Sequence, residues 1–319
     1  MPLCWRTLAV RLFVVPPVSS FLLSCLSFLI ALSIALPSQA HTATPSSQTA
    51  AVKRIVWLTP DSTQVGQSRV GFGVADRLVK YVSAQLPDIE HSVVRANAKR
   101  SMKMLQQGET ACHASLIRSA EREQIAYFSN TLLLAPMQLI VRADKLEALP
   151  RDAQGEVDLR KLLADETLRG VLTDKRSYGE YIDSVLATRP ENRAVFSHSH
   201  GDFGGKLLQM LLADRADYLI DYPTAMDLLL NHSPGSDPQA LRSLPIQGAS
   251  ELVVGGVACP RTPWGLAAIT QIDRALSTPA GVALLRESSD RLLRPEARRV
   301  CASRQDAFYK DRARPSKVF

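Results

Sequence analysis

The chain is 319 residues long, 46% of them hydrophobic, with 38 Lys and Arg against 31 Asp and Glu for a formal net charge of +7. That is enough apolar chain for two modest cores rather than one small one. The basic residues are evenly spread and no long Lys/Arg block alternates with aromatics, so a nucleic-acid surface is not indicated, while attraction to an acidic small ligand is compatible with the charge.

In chain order, Arg6 and Arg11, the apolar run SSFLLSCLSFLIALSIAL and the small residues of PSQA spell a secretory signal over residues 1–40, cleaved after Ala40. The run is also about as long as the shortest membrane spans, so an uncleaved N-terminal anchor is the alternative. Either reading exports the chain to the periplasm and makes the leader its only tie to a membrane. Removing the leader takes away two arginines and no acids, leaving +5. HTATPSSQTA has the composition of a flexible linker, placed at residues 41–53.

RIVWLT then predicts a buried strand, followed by a turn-rich segment that holds Asp61. In VADRLVKYVSAQL the residues Val74, Leu78, Val82 and Leu86 recur every fourth position, one apolar stripe of a helix that Pro87 ends. HSVVRA predicts a second strand. AKRSMKMLQQGE predicts a helix capped by Asn97 and stopped at Gly108, and TACHASLI a third strand. Next comes IRSAEREQIAYFS, two arginines and two glutamates that give way to IAYF and the strand-like TLLLAPMQLIVR. The chain turns polar at ALPRDAQGEVDLRKLLADETL, which places a crossing into a second lobe at residues 142–145. RGVLTD, SYGEYIDSVLAT, RAVFSHS, GGKLLQMLLADR and ADYLIDYP alternate strand and helix, the pattern of parallel βαβ units. ELVVGGVACP predicts a further strand, GLAAITQIDRALSTPAGVALLRESSDRLL a helix broken at Pro279 and Gly281, and YKDRARPSKVF a frayed, solvated end.

The ER followed by IAYFS and the segment LLADRADYLIDYP, with GFGVADRL, NAKRSMKMLQQG and ACPRTPWG in the same order, resemble the type 2 periplasmic solute-binding proteins of family 3, the group that includes the amino-acid binders of ABC transporters. The resemblance covers most of residues 54–310. It implies an α/β fold of two lobes, each a mostly parallel sheet flanked by helices, joined by a hinge of two crossing segments. Lobe 1 would be 54–142 with 250–319, and lobe 2, inserted, 145–248. It further implies a monomer that closes on a small polar or anionic ligand without catalysis or cofactor and hands it to an ABC-type permease.

By the same resemblance Arg122 matches the carboxylate-binding arginine and Asp221 the acid that faces a ligand's ammonium group. A guanidinium pairs a carboxylate through two parallel hydrogen bonds, and a cleft that expels water strengthens the pair. The alternative reading pairs Arg122 with Glu121 or Glu123, or leaves it on a solvated helix start. Ser115, Arg118 and Asp61 are further candidate contacts. Arg176 and Tyr178, in RSYG where a strand meets a helix, offer amides and an aromatic wall, with simple packing of Tyr178 as the alternative. Leu116 and Ile117 depart from the small hydroxyl residues that the amino-acid binders carry before their arginine, which puts an amino-acid ligand in doubt. Asp217 reads as a turn carboxylate beside Arg215. Cys112 and Cys259 end strands of lobe 1 and are candidates for a disulfide, with Cys301 the odd thiol. His198, His200 and Asp202 alternate, but no further ligand has metal-site spacing, so no metal is expected. Two alternatives stand beside transport: a dehydratase on the same fold, for which Asp221, Asp61 and Glu180 are the conspicuous acids, and a membrane-held sensory module.

Overall fold

The computed structural model describes residues 51–59, 73–199, 205–232, 237 and 239–316, all of them within the compact unit 47–319. The expected signal, most of the linker, Asp61, His200 and Asp202 lie outside the described residues.

The first sheet is begun by β1 (Arg54–Thr59), β2 (Glu90–Arg95), β3 (Ala111–Ile117) and β4 (Ala126–Leu134), with α1 (Gly73–Gln85), α2 (Ala98–Gln106) and the short α3 (Ala120–Glu123) between them. The second sheet holds β5 (Gln138–Arg142), β6 (Gly170–Thr173), β7 (Val195–His198), β8 (Tyr218–Asp221) and β9 (Leu241–Leu244). Its helices are α4 (Leu159–Ala164), α5 (Glu180–Ala187), α6 (Gly205–Leu212) and α7 (Pro223–His232). The chain then returns to the first sheet as β10 (Val253–Pro260) and ends in α8 (Pro263–Leu276), α9 (Pro279–Arg291) and α10 (Pro295–Arg312).

Strand order is β2-β1-β3-β10-β4 in one sheet and β7-β6-β8-β5-β9 in the other. In each, three strands run parallel, and the strand that arrives from the other lobe, β10 or β5, is antiparallel to both neighbours. The result is an α/β molecule of two similar lobes. Alternation along each strand fills both faces of the second sheet. Leu139 and Val141 of β5, with Tyr218 and Ile220 of β8, join one core, while Ile140 and Leu219 join the other. In lobe 1, Ile55 and Trp57 of β1 pack with Leu78 and Val82 of α1 and with Ile269 and Ile272 of α8. Where the β10 register shifts, a Cβ on Gly256 would meet the Ser129 carbonyl oxygen at 2.4 Å, so only glycine lets β4 and β10 approach this closely.

Two expectations change here. The apolar run from Thr131 to Arg142 is two strands, not one: β4 ends in the first sheet and β5 begins in the second, so the lobes cross at 135–137, before the polar segment rather than at 142–145. Strand β5 is buried on both faces, so its composition gives no sign of the change of lobe. The return crossing lies at 245–252. The C-terminal segment also differs from a frayed end. Tyr309 and Arg312 are buried, and Arg312 meets the buried Asp273 at 2.9 Å while Ser129 donates to the same carboxylate at 2.6 Å. This pair ties α10 to α8 and β4.

Cys112 of β3 and Cys259 of β10 are joined by a disulfide, and Cys301 is free and buried. No helix among the described residues is long and apolar enough to cross a membrane.

Candidate functional site

The site is built where α3 and the strand ends of lobe 1 meet the β6–α5 loop of lobe 2. Ser119 caps α3 by accepting from the Arg122 amide, and this single helical turn swings the Arg122 side chain inward, leaving it 7% exposed. Its Nη1 donates to the Ile117 carbonyl at 2.8 Å, and its Nη2 reaches the Lys175 carbonyl of the other lobe at 3.5 Å. Among the described residues no carboxylate lies within ion-pair distance of it. Burial pushes its pKa down; Asp183 and Glu121 push it back up, and Arg176 lowers it further. A buried guanidinium whose partners are carbonyl oxygens keeps a positive charge that no ion pair among the described residues offsets. Lys99 and Asp174 form an ionic contact between the lobes at 3.4 Å.

In lobe 2, Arg176 and Asp221 form a two-pronged pair, Nη2 to Oδ1 at 2.6 Å and Nη1 to Oδ2 at 3.1 Å, with side chains 5% and 2% exposed. Burial opposes the Arg176 charge, but Asp221 overrides this and raises its pKa above that of a free arginine. The Tyr222 amide donates to the same carboxylate at 2.8 Å. Asp221 is thus engaged by its own chain rather than open to a ligand's ammonium group.

Tyr178 packs: it is buried, its hydroxyl accepts from the Thr173 amide at 2.7 Å, and the Arg176 guanidinium lies over its ring at 5.4 Å. The amides expected to hold an anion at RSYG serve an internal one. Tyr178 N donates to Asp183 Oδ1 at 2.7 Å and the Ser177 hydroxyl donates to Oδ2 of the same carboxylate. Gly179, with φ +100, makes the sharp entry to α5 that this arrangement needs. Asp183 is partly buried, which raises its pKa; its hydrogen bonds and the charge of Arg122 act in the opposite direction. It is the lobe 2 acid that faces Arg122, and the sequence reading missed it. Its spacing from Ser177, six residues across a strand-to-helix turn, was the available signal.

The other candidates separate from the site. Arg118 pairs with Glu123, donates to Asn130 at 3.0 Å and covers Phe128, all within lobe 1. Ser115 is half-buried, and its backbone amide donates to His113 Nδ1 at 3.1 Å. Asn97 accepts from the Arg100 amide, a cap. Asp217 pairs with Arg169, not with Arg215. No group of His, Cys, Asp or Glu among the described residues is arranged to hold a metal ion.

His113, buried on β3, has its pKa lowered to about 3, first by burial and then by Arg122. Below the ordinary histidine value of 6.5 the unfolded chain takes up a proton that the native His113 refuses, so stability falls with pH across that window. One refused proton contributes a slope of up to about 1.4 kcal/mol per pH unit. His113→Asn, which keeps an acceptor near the Ser115 amide, is expected to flatten that slope in urea titrations between pH 6.5 and pH 4.

Two α/β lobes whose fourth strand is exchanged between sheets make the two-lobed periplasmic-binding-protein fold. No family model matches the chain, and no curated protein matches it. Solved structures do. An amino-acid ABC transporter substrate-binding protein from Streptococcus pneumoniae, bound to L-arginine, is 14% identical at TM-score 0.51, over 76% of this chain and 97% of that one. An ancestral arginine-binding protein bound to arginine is 13% identical at TM-score 0.53, over 76% and 99%. The periplasmic VFT2 domain of BvgS from Bordetella pertussis is 16% identical at TM-score 0.51, over 76% and 94%. At such identities the likeness shows the fold.

Proposed function

We propose that the protein is an exported, non-catalytic solute-binding protein whose lobes close on a small anionic or polar solute, of organic-acid or amino-acid size. The observation that carries this reading is Arg122: a buried guanidinium at the lobe junction, facing Asp183 and without a carboxylate partner among the described residues. The neighbours that bind arginine support capture of an amino-acid-sized molecule. Uptake through an ABC-type permease, with the protein working as a periplasmic monomer, is the setting this reading proposes.

The carboxylate of the solute goes to Arg122. Asp221 leaves the ammonium-binding role, because Arg176 already neutralises it, and Asp183, the lobe 2 acid that faces Arg122, is itself held by the Tyr178 amide and the Ser177 hydroxyl. That favours simple carboxylates over amino acids. The engagement of Asp221 also weakens the dehydratase reading, which needs a free acid or base in the cleft. Ligand acts by binding the closed form better than the open one.

Thermal unfolding against organic acids, amino acids and oligopeptides tests the proposal. A compound at about a hundred times its dissociation constant adds roughly 2.7 kcal/mol, a few degrees for a chain this size. Arg122→Ala is expected to abolish that shift and to leave a folded protein; an undiminished shift in the variant would remove Arg122 from the site. Recovery of the compound in converted form would replace binding with catalysis.

A further inference from the structure

A cavity of about 520 Å3 lies at the hinge itself. Its walls come from both crossing segments, through Pro136 and Leu252, from the start of α7 through Pro223, from the turn between α9 and α10 through Leu293, and from α10 through Ala297 and Val300. Arg122, Arg176 and Asp183 do not line it, so it is separate from the cleft site. The size falls within the range of small-molecule sites, about 300–1,000 Å3.

The charges around this apolar space do not cancel. Arg294 is held by Asp227 at 2.5 Å and by Ser243 at 3.1 Å, and Glu296 is met by Arg299 at 3.5 Å. Arg304 remains: it is exposed, lines the cavity, and has neither an ion pair nor a hydrogen bond among the described residues. Val300, 83% exposed on the same helix, extends the apolar wall to the surface. Deeper in, the Tyr222 hydroxyl is buried without a hydrogen-bond partner, and Cys301 contributes a buried thiol.

An apolar chamber with one surplus cation selects a molecule with an apolar body and a single negative head. We propose that this cavity binds a small amphipathic monocarboxylate, its apolar part seated between the two crossing segments and α10 and its carboxylate at the Arg304 guanidinium. An occupant that touches both crossing segments favours the hinge arrangement in which they surround it, so it shifts the affinity of the cleft without entering it.

The test uses the full chain and decanoate below its micellar concentration, with 1-decanol as the uncharged control. Calorimetry is expected to show saturable one-to-one binding, at least tenfold weaker for decanol and for Arg304→Gln, and unchanged in Arg122→Ala. Decanoate should also slow maleimide modification of Cys301, followed on its own peptide by mass spectrometry. Ala297→Trp, which fills the chamber, should abolish binding; should that variant not fold, Arg304→Gln at an exposed position still decides. Absence of decanoate binding, binding indifferent to Arg304→Gln, or binding lost in Arg122→Ala with the rate of Cys301 modification unchanged by decanoate would each overturn the proposal, the last by placing decanoate in the cleft. Arg304-dependent sedimentation with phosphatidylglycerol vesicles, without binding of free decanoate, would overturn it in favour of a membrane surface.

Discussion

Replacing Cys112 and Cys259 together by alanine is expected to lower the free energy of unfolding by about 5 kcal/mol. The bridge spans 147 positions of the sequence and encloses both crossings and the whole of the second lobe. Cutting it returns that loop's freedom to the unfolded chain, where closure entropy grows with the logarithm of loop length. The folded state loses less. β3 and β10 are already antiparallel neighbours in the same sheet, in register at Ile117 with Gly255, Leu116 with Gly256 and His113 with Ala258. Both cysteines are fully buried, so the alanines also leave a small void among Trp57, Ala114, Val257 and Ile272. Urea unfolding of oxidised wild type against the double variant measures the difference. A loss below about 1 kcal/mol would mean that the bridge does not constrain the unfolded chain. The same burial predicts that the bridge in the folded protein resists reductant until the chain opens, as trapping of free thiols at rising urea would show.

Local pattern carried much of this molecule, and its failures have one cause. The stripe of Val74, Leu78 and Val82 lies buried on α1, and Gly108, with φ +70, closes α2 as a stop signal does. Asn97 caps its helix with a side-chain acceptor. These features are decided within four residues of themselves. The crossing at 135–137 was not legible, because β4 and β5 are both apolar and only their hydrogen-bonding partners, in different sheets, tell them apart. The C-terminal helix misled in the opposite way. Its mean composition is polar, yet Arg312 finds Asp273, 39 residues earlier, and the pair is buried. Asp221 shows the same limit within the site: the strand that delivers it was recognised, but the partner that occupies it, Arg176, stands 45 positions away on a loop. Charge partners across such distances are fixed by the fold, not by periodicity.

That pair gives the second large expected effect. Asp221→Ala removes the carboxylate and leaves the Arg176 guanidinium buried, with the Met137 sulfur at 3.7 Å and the Tyr178 ring as neighbours that cannot replace a negative charge. Breaking a buried pair in this way costs about 3–5 kcal/mol, most of it the desolvation of the stranded ion. Arg176→Met combined with Asp221→Val takes both charges away, and such apolar replacements are often neutral or stabilising. The double variant should therefore recover most of what Asp221→Ala loses, and the cycle measured by urea unfolding gives the coupling. This experiment also separates a ligand-contacting Asp221 from the internal one. An acid reserved for a ligand's ammonium group would cost little stability when removed but would erase ligand binding. The internal pair predicts the reverse: a large loss of stability, with solute affinity at Arg122 retained well below the melting temperature. A cationic group on the solute would have to displace a guanidinium that is tethered to the same lobe, doubly hydrogen-bonded and shielded from water. A plain carboxylate needs only Arg122 and the closing of the lobes, and it meets no such competitor.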